Sequence, residues 1–472
     1  MPFKQQHEKI LIDKKSFCAI LNLYFAWQIH VFYISAVVNT GQPVFINSGG
    51  KRENDGGEKT MRKLFSLALA GCMVVSMGAA AFAEETTTEE ASVEESAEET
   101  EEAREVVYDP VDVDDLKVGF IYIGDENEGY TAAHYKGALE MKEALGLSDD
   151  QIVVKWNTPE DESCYDAAVD LADSGCNIIF ATSFGYESYI LQAAEEFPDV
   201  QFCHATGYQA ATSGLDNMHN YFTSVYESRY VSGVVAGLKL NEMIENGDIT
   251  EDEAKMGYVG AYPYAEVISG YTSFYLGAKS VCPSVTMEVK YDNSWGSFDL
   301  EKETAEALIA DGCVLISQHA DTTGAPTACQ AAKVYCVGYN ISMLEAAPDY
   351  ALTSASINWG PYVTYAVDSV VNGYAIDTDW CQGYAEGADC ITELNEDVLP
   401  EGTADKVKEI EKELIDGTLH VFDTSTWTVD GETLDTYVKN DVEYISDGYF
   451  HESEYGSAPA FDIIIDGIEV AE

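Results

Sequence analysis

From Lys117 onwards, the sequence alternates between short apolar runs and longer amphipathic stretches. The apolar runs are rich in Val, Ile, Phe and Tyr, which is typical of strands that are buried on both faces. We interpret as strands the runs KVGFIYI, IVVKW, NIIFAT, VQFCHAT, KMGYVGA, VTMEVKY, CVLISQ and VYCVGY. Stretches with helical periodicity, such as ESCYDAAVDLADSG and LEKETAEALIADG, lie between them. This alternation predicts an α/β fold in which parallel sheets are flanked by helices.

The strands fall into two groups, which a long helical pattern, VYESRYVSGVVAGLKLNEMIE, separates. Two similar groups predict two lobes with a cleft between them. We place lobe 1 at 116–230 and lobe 2 at 231–344, and we expect 345–375 to return to lobe 1 as a further strand–helix unit. Residues 376–472 are a C-terminal extension, for which the pattern predicts a helix and β-hairpins.

The N-terminal part carries targeting signals. MRKLFSLALAGCMVVSMGAAAFAEE, which starts at Met61, has a basic start, an apolar middle and an Ala-Phe-Ala end. This pattern predicts a secretory signal at 61–83, with cleavage after Ala83. Because a signal belongs at an N-terminus, we interpret 1–60 as a mis-annotated upstream extension; the alternative is a membrane helix at 17–38. LAGC also matches a bacterial lipobox, so that lipidation of Cys72 is the alternative to cleavage after Ala83. Both alternatives predict export to the bacterial cell surface or the extracytoplasmic space.

The chain is strongly acidic. It has 25 Lys and Arg residues against 83 Asp and Glu, for a net charge of −58. Such a charge repels nucleic acid and anionic lipid, so we expect no nucleic-acid function. Residues 84–115 are especially acidic, and Arg104 is their one basic residue. This stretch lacks the apolar residues that a core needs, and it predicts a disordered spacer.

The 11 cysteines do not form a metal-binding or redox pattern. No CxxC pair occurs, which argues against a zinc site or a thioredoxin-like site. Several cysteines, such as Cys203 and Cys336, lie in apolar strand-like runs and are expected to be buried thiols. Cys381 and Cys390 flank a glycine-containing loop, and the sequence leaves open whether they pair.

Motifs of enzyme chemistry are also absent. The sequence contains no G-x-x-x-x-G-K-[ST], no G-x-G-x-x-G, no H-E-x-x-H and no G-x-S-x-G. The loop GDENEGY, which follows the first strand, is acidic and would repel a phosphate. We therefore expect no catalytic activity, no cofactor and no metal. Arg229 and Glu227 on the long helix are interpreted as a structural ion pair.

Candidate binding residues follow the predicted strands. In open parallel sheets, ligands bind beyond the carboxyl ends of the strands. Almost every such end carries an aromatic or a hydrogen-bonding residue, for example Tyr130, Phe184 and Trp295. Aromatic faces contributed by two lobes suit a flat, polar, uncharged ring. His204 and His319 also lie at strand ends, and the sequence leaves open whether they face the cleft.

An ordered set of motifs resembles a known family. In sequence order, the set is GYTAAHYKGA, TSFGY, FPDVQFCHATGY, YFTSVYESRYVSGVVAG, GYVGAYPYAEVISGYTSFYLGAKSV, NSWGSFDLEKETAEALIADG, SQHADT, VGYN and LTSASINWGPY. These motifs resemble the basic membrane protein (BMP) family of type I solute-binding proteins from ABC importers. HATGY, SQHAD and NWGPY are similar to the branch that binds purine nucleosides or nucleobases.

The resemblance implies a ligand between the lobes, which the protein delivers to ABC permease and ATPase subunits. Tyr130 and Trp295 would stack on the ligand ring, and Phe184 and Trp359 would complete the walls. Polar contacts would come from a further set of residues: Ser183, His319, Asp321 and Asn340. The protein is expected to be a monomer. The alternatives are the same fold binding a sugar or an autoinducer-like molecule, or a sensor subunit for a membrane kinase.

Overall fold

The fold was analysed in a computed structural model, which describes Arg104 and residues 106–471. The predicted upstream extension, the signal at 61–83, Cys72 and most of the spacer lie outside the described residues. In the part that is described, no helix is both long and apolar enough to cross a membrane. Two mixed α/β lobes account for most of the described chain, as the alternating pattern predicted.

Lobe 1 is built on a six-stranded sheet in the order β11-β5-β4-β3-β1-β2. All its strand pairs are parallel. Its strands are β1 Val118–Ile121, β2 Ile152–Lys155, β3 Ile178–Ala181, β4 Gln201–Ala205, β5 Met218–Thr223 and β11 Asp379–Gln382. The helices that follow its first strands are α1 Gly129–Leu145, α2 Glu162–Asp173, α3 Glu187–Glu196 and α4 Ala210–Ser213. Strands β1, β3, β4 and β5 are buried along their whole length. Burial on both faces explains the mainly apolar runs of the first three.

Lobe 2 is built on a seven-stranded sheet in the order β12-β10-β9-β8-β6-β7-β17. Its strands are β6 Lys255–Gly260, β7 Thr286–Tyr291, β8 Leu315–Gln318, β9 Tyr335–Tyr339, β10 Ala351–Ile357, β12 Asp389–Ile391 and β17 Ile468–Val470. All pairs are parallel except β10 with β12. The helices of this part of the chain are α5 Tyr226–Asn246, α6 Ala265–Val281, α7 Phe298–Ala310 and α8 Gly324–Ala332.

The strand of the 345–375 unit does not return to lobe 1. Strand β10 pairs with β9 in the sheet of lobe 2, and only the next helix, α9 Gly360–Asn372, packs on α1 of lobe 1. The long helix α5 packs mainly on α6, so that its first residues belong with lobe 2 rather than with 116–230. The expected boundaries are therefore corrected: the chain crosses from lobe 1 to lobe 2 between β5 and α5, and it crosses back between β10 and α9. Apolar periodicity does not record either crossing.

The C-terminal extension is shared between the two sheets. It adds β11 to lobe 1, and β12 and β17 to opposite edges of lobe 2. It also contains helix α10 Thr403–Ile415 and two short hairpins, β13 Val438–Lys439 with β14 Val442–Glu443 and β15 Ile445–Ser446 with β16 Tyr449–Phe450. Cys381 and Cys390 lie on β11 and β12, in different sheets, and both thiols are free.

Candidate functional site

A cavity lies between the two lobes, where the carboxyl ends of their strands face each other. It contains about 450 Å³ of space free of protein atoms, part of which is open to solvent. Five lining residues come from each lobe. Lobe 1 contributes Ile123, Tyr130, Ser183, Phe184 and Thr206. Lobe 2 contributes Glu266, Trp295, His319, Asp321 and Tyr339. These ten residues include aromatic rings and two carboxylic acids but no Lys or Arg.

The acidic loop before α1 caps its own helix. The Glu128 carboxylate accepts hydrogen bonds from the N–H groups of Tyr130 at 2.8 Å and of Thr131 at 2.9 Å. Those N–H groups are the donors that would otherwise hold an anionic ligand at a helix N-terminus. The helix start is therefore already occupied by a negative group, which disfavours phosphate. The Tyr130 hydroxyl donates to the Thr182 carbonyl at 2.6 Å, and this bond fixes the ring at the cavity wall.

Aromatic rings also form the mouth of the cavity. Phe184 of lobe 1 faces Tyr264 of lobe 2, with ring centroids 5.8 Å apart. Tyr264 stacks on Tyr262 at 5.4 Å, and Tyr262 lies edge-on to Trp295 at 5.2 Å. Phe184 and Tyr264 nevertheless remain 41% and 45% exposed. The two lobes therefore approach each other through a pair of exposed rings at this edge of the cavity.

Asp321 is the most deeply embedded acid of the cavity. Its Oδ1 accepts from the Asn340 amide at 2.6 Å, and its N–H donates to the Trp295 carbonyl at 2.8 Å. Burial raises the pKa of Asp321 well above its usual value, and the neighbouring carboxylates of Glu128 and Glu301 raise it further. A protonated Asp321 has a hydroxyl to donate, so this residue can offer a ligand a hydrogen bond of a kind that a carboxylate cannot.

The loop after Asp321 is held by a buried glutamate on α7. The Glu301 carboxylate accepts from the Thr322 hydroxyl at 2.7 Å and from the Thr322 N–H at 3.1 Å. Burial, the largest cause, raises the pKa of Glu301 to about 7. Glu301 thereby positions the chain that carries Asp321 into the cavity.

Because of this raised pKa, we expect the free energy of unfolding to fall as pH rises from about 4.5 to 7. The unfolded chain releases the Glu301 proton at lower pH than the folded protein does, so each step of pH in this window favours unfolding. Glu301→Gln should reduce this fall in the free energy of unfolding by roughly 1–3 kcal/mol between about pH 4.5 and 7. Urea denaturation at pH 5 and pH 7.5 measures this. Glu303→Gln, at an exposed position of the same helix, is the control and should leave the profile unchanged.

A buried arginine stands behind the lobe 2 wall. Arg229 on α5 donates to the Gln318 carbonyl at 2.7 Å and lies 3.3 Å from Nδ1 of His319. Nε2 of His319 lies 3.2 Å from Glu266 Oε1. Arg229 does not pair with Glu227, contrary to the sequence interpretation, because Glu227 accepts instead from the N–H of Tyr384. The three side chains connect the core of lobe 2 to the cavity surface.

The structure brings six of the eight predicted site residues to the cavity. They are Tyr130, Ser183, Phe184, Trp295, His319 and Asp321. Asn340 does not line the cavity itself, but its amide donates a hydrogen bond to Asp321, which does. Trp359, expected as a wall, is 1% exposed and stacks on His134 with centroids 3.8 Å apart, in the core of lobe 1. Trp359 follows β10 of lobe 2, but it starts the helix that crosses to lobe 1, and this crossing carries it away from the cavity.

Other lining residues were missed. Thr206 and Tyr339 lie at strand ends, but their residue types did not distinguish them from the other strand-end residues, and they were not predicted as site residues. Glu266 lies in the first turn of α6, a short distance beyond the end of β6, and the strand-end rule extended to the next helical turn would have found it. His204 is buried and pairs with the Ser183 carbonyl at 2.8 Å, and it does not line the cavity. Within residues 104 and 106–471, no group of three His, Cys, Asp or Glu side chains is arranged to hold a metal.

Comparison with known proteins agrees with this geometry. The family described as "ABC transporter substrate-binding protein PnrA-like" matches residues 116–422. The chain belongs to this BMP family. Members of the family are extracytoplasmic substrate-binding components of ABC transporters, and they are not enzymes.

Two relatives of the chain differ in the ligand for which they are named. A purine-binding protein of Brucella abortus is 36% identical over 68% of this chain and 89% of its own length. A Haloferax volcanii protein with the name "Putative ABC transporter glucose-binding protein TsgA13" is 28% identical, over 66% of this chain and 75% of its own length.

Solved structures support the two-lobe fold. An ABC transporter solute-binding protein of Conexibacter woesei has a TM-score of 0.53 and 21% identity, and the match covers 65% of this chain and 98% of that one. A solute-binding protein of Aeropyrum pernix has a TM-score of 0.55 and 17% identity, covering 65% and 93%. At these identities the likeness concerns the fold alone.

Proposed function

We propose that the protein binds a purine nucleoside or nucleobase between its lobes and delivers it to an ABC permease. The observation that carries this proposal is the composition of the cavity wall. Tyr130, Trp295 and Tyr339 offer ring faces and edges, whereas the polar groups are two carboxylic acids, a histidine and two hydroxyl side chains. Aromatic faces bind flat heterocycles, and carboxylic acids read the N–H groups and ring nitrogens at the edge of such a ring.

Charge supports a neutral ligand. The lining contains Glu266 and Asp321 but no Lys or Arg, and Glu128 occupies the N-terminus of α1. A nucleotide phosphate would therefore be repelled by the carboxylates of Glu266 and Glu128, and no Lys or Arg in the lining would balance its charge. A nucleoside or a free base carries no such charge. The 36% identity to the Brucella purine-binding protein supports the same ligand class.

Within this proposal, the ligand contacts are those of the predicted residues that line the cavity. Tyr130 and Trp295 stack on the ring, and Ser183, His319 and Asp321 provide polar contacts. Phe184 closes the mouth, and Asn340 orients Asp321. The partners are the permease and ATPase subunits of the transporter, and the binding protein acts as a monomer. It is exported, either cleaved after Ala83 or anchored through Cys72.

A sugar is the second candidate, because the Haloferax relative is named for glucose and is 28% identical. Aromatic faces stack on sugars as well, but sugar sites usually also use several Asp, Asn and Arg side chains. The lining of this cavity includes no Arg and no Asn. Purines are therefore favoured over sugars.

Thermal unfolding in the presence of candidate ligands tests the proposal. Adenosine, inosine, guanosine, adenine and glucose should be added to residues 84–472 after exhaustive dialysis. A purine present at 100 times its Kd should stabilise the protein by about 2.7 kcal/mol. Native mass spectrometry of protein purified without added ligand should also detect a purine mass. Stabilisation by glucose alone would replace the purine with a sugar, and stabilisation by none of the five would contradict the proposal.

A further inference from the structure

Arg229 is a buried cation whose environment is unusual. Its side chain is 1% exposed, and its guanidinium lies over the Tyr339 ring, 3.5 Å from the centroid. Among residues 104 and 106–471, no carboxylate lies within 4.0 Å of it to form an ion pair. Burying a charge without an opposite charge beside it destabilises a protein, so the presence of Arg229 here indicates a functional role for the cation.

The hydrogen bonds of Arg229 have only one possible direction. A guanidinium has donors and no acceptor, so Nη2 must donate to Nδ1 of His319. Neutral His319 then carries its proton on Nε2 and donates it to Glu266 Oε1. The distances along this chain are 3.3 Å and 3.2 Å. Arg229 therefore sets the tautomer of His319, and His319 in turn holds Glu266.

Glu266 is the only one of the three whose side chain is appreciably exposed, at 16% against 2% for His319, and it lines the cavity. Its Oε1 is engaged by His319, and within the described residues Oε2 has no hydrogen-bond partner, which leaves this oxygen available to a ligand in the cavity. A carboxylate fixed in this way accepts hydrogen bonds and donates none.

We propose that Arg229 is a positioning residue for ligand selection: through His319, it holds Glu266 as a hydrogen-bond acceptor, so that the pocket selects heterocycles whose edge presents an N–H donor. This inference rests on the proposed purine function and specifies which hydrogen-bonding groups on the edge of the purine the pocket recognises. It separates purines with a ring N–H or an amino group from those whose six-membered ring has only acceptor nitrogens.

The Glu266→Gln variant sharpens this inference. Because Nε2–H of His319 must still find an acceptor, the glutamine oxygen would turn towards His319 and its NH₂ group towards the cavity. A ligand N–H would then face a donor. The variant should lose affinity for N–H-bearing ligands and retain affinity for a ligand that offers a ring nitrogen acceptor.

The experiment compares three nucleosides by calorimetry: adenosine with its amino group, inosine with its N1–H, and purine riboside, which has neither. Wild-type protein should bind the better of the first two about ten-fold more tightly than purine riboside. Arg229→Met and Glu266→Gln should bring this ratio close to one, with little change for purine riboside. Lys239→Met removes another buried cation from the same helix, away from the cavity, and should preserve the ratio.

A ligand-free readout separates this inference from the purine proposal. Nitrogen NMR of the His319 ring should show the Nε2–H tautomer in wild-type protein and in Lys239→Met, and a loss of that preference in Arg229→Met. An unchanged tautomer, or an unchanged affinity ratio in folded Arg229→Met or Glu266→Gln, overturns the positioning role. If wild-type protein binds no purine but shows the Arg229-dependent tautomer, the ligand class is wrong and the positioning of Glu266 stands. If Arg229→Met does not fold, Glu266→Gln decides the affinity ratio alone.

Discussion

Replacing Gly129 with alanine should weaken ligand binding by about 5- to 150-fold, the equivalent of roughly 1–3 kcal/mol of steric overlap. Gly129 is the first residue of α1 in lobe 1, and its N–H donates to the Asp321 carbonyl of lobe 2 at 3.3 Å. A Cβ at this position would lie 2.8 Å from that carbonyl oxygen. The next nearest atoms, on Ile341 and Asn340, also belong to the lobe 2 part of the chain. The added methyl group therefore conflicts with the close approach of α1 to lobe 2, and none of the atoms nearest to it belongs to lobe 1. Calorimetric titration with the purine that binds wild-type protein measures the loss.

Gly296→Ala is the matched control, since it makes the same change near the same cavity. The nearest atom to a Cβ at Gly296 is Cγ2 of Thr322, at 3.8 Å, which is an ordinary van der Waals distance. This variant should bind like wild-type protein. The thermal stability of both ligand-free variants should also resemble that of wild type. Equal affinity of Gly129→Ala and Gly296→Ala would show that the close approach of α1 to Asp321 is not needed for binding.

The parts of the fold that depend on local pattern were predictable from the sequence. Strands such as β3 and β4 are buried on both faces, and their apolar runs are therefore unambiguous. β5 was missed as a strand, although it too is buried along its whole length, because its sequence MHNYFT mixes polar with aromatic residues. The side chains of His219 and Asn220 within it are satisfied by hydrogen bonds to Gln201 and Glu187, which lie far away in the sequence. A strand whose polar residues are paired by tertiary contacts has no periodic signal.

The site was predictable to the extent that each residue follows a strand of its own lobe. Tyr130 and Trp295 do so, and both line the cavity. Trp359 follows β10 in sequence but belongs to the helix that packs on lobe 1, where it stacks on His134. The chain crossing between lobes is decided by how whole elements pack, and a motif of a few residues does not encode it.

The acidic loop shows how one local feature excludes a class of ligand. In many α/β proteins the first helix presents free N–H groups to a phosphate. Here Glu128 takes those donors, and burial together with its acidic neighbour Asp125 raises its pKa, although the hydrogen bonds to Thr131 and Tyr130 oppose the rise. With the helix N-terminus occupied, Tyr130 lines the cavity, and in the proposed function its ring stacks on the ligand. The start of this helix would then serve stacking in place of anion recognition.

Trp295→Ala should weaken purine binding by about 1–3 kcal/mol, or roughly 5- to 150-fold, because one stacking face and its burial are lost. The indole lies within the aromatic group of Tyr262 and Tyr264 and 6.3 Å from the His319 ring. The backbone carbonyl of residue 295, which accepts from the Asp321 N–H, remains in the variant. The loss should therefore come from the ring itself. Calorimetry on wild type, Trp295→Ala and Trp295→Phe measures it, and phenylalanine should restore part of the affinity.

Phe298→Ala provides the comparison, because Phe298 is a neighbouring aromatic residue that is 42% exposed and does not line the cavity. Its removal should leave the dissociation constant unchanged. If Trp295→Ala and Phe298→Ala bind the purine equally well, the ring does not stack on the ligand, and the contacts must be reassigned to Tyr130 and Tyr339. If affinity falls in Trp295→Ala and phenylalanine restores none of it, the indole acts through its N–H or its shape rather than through a ring face.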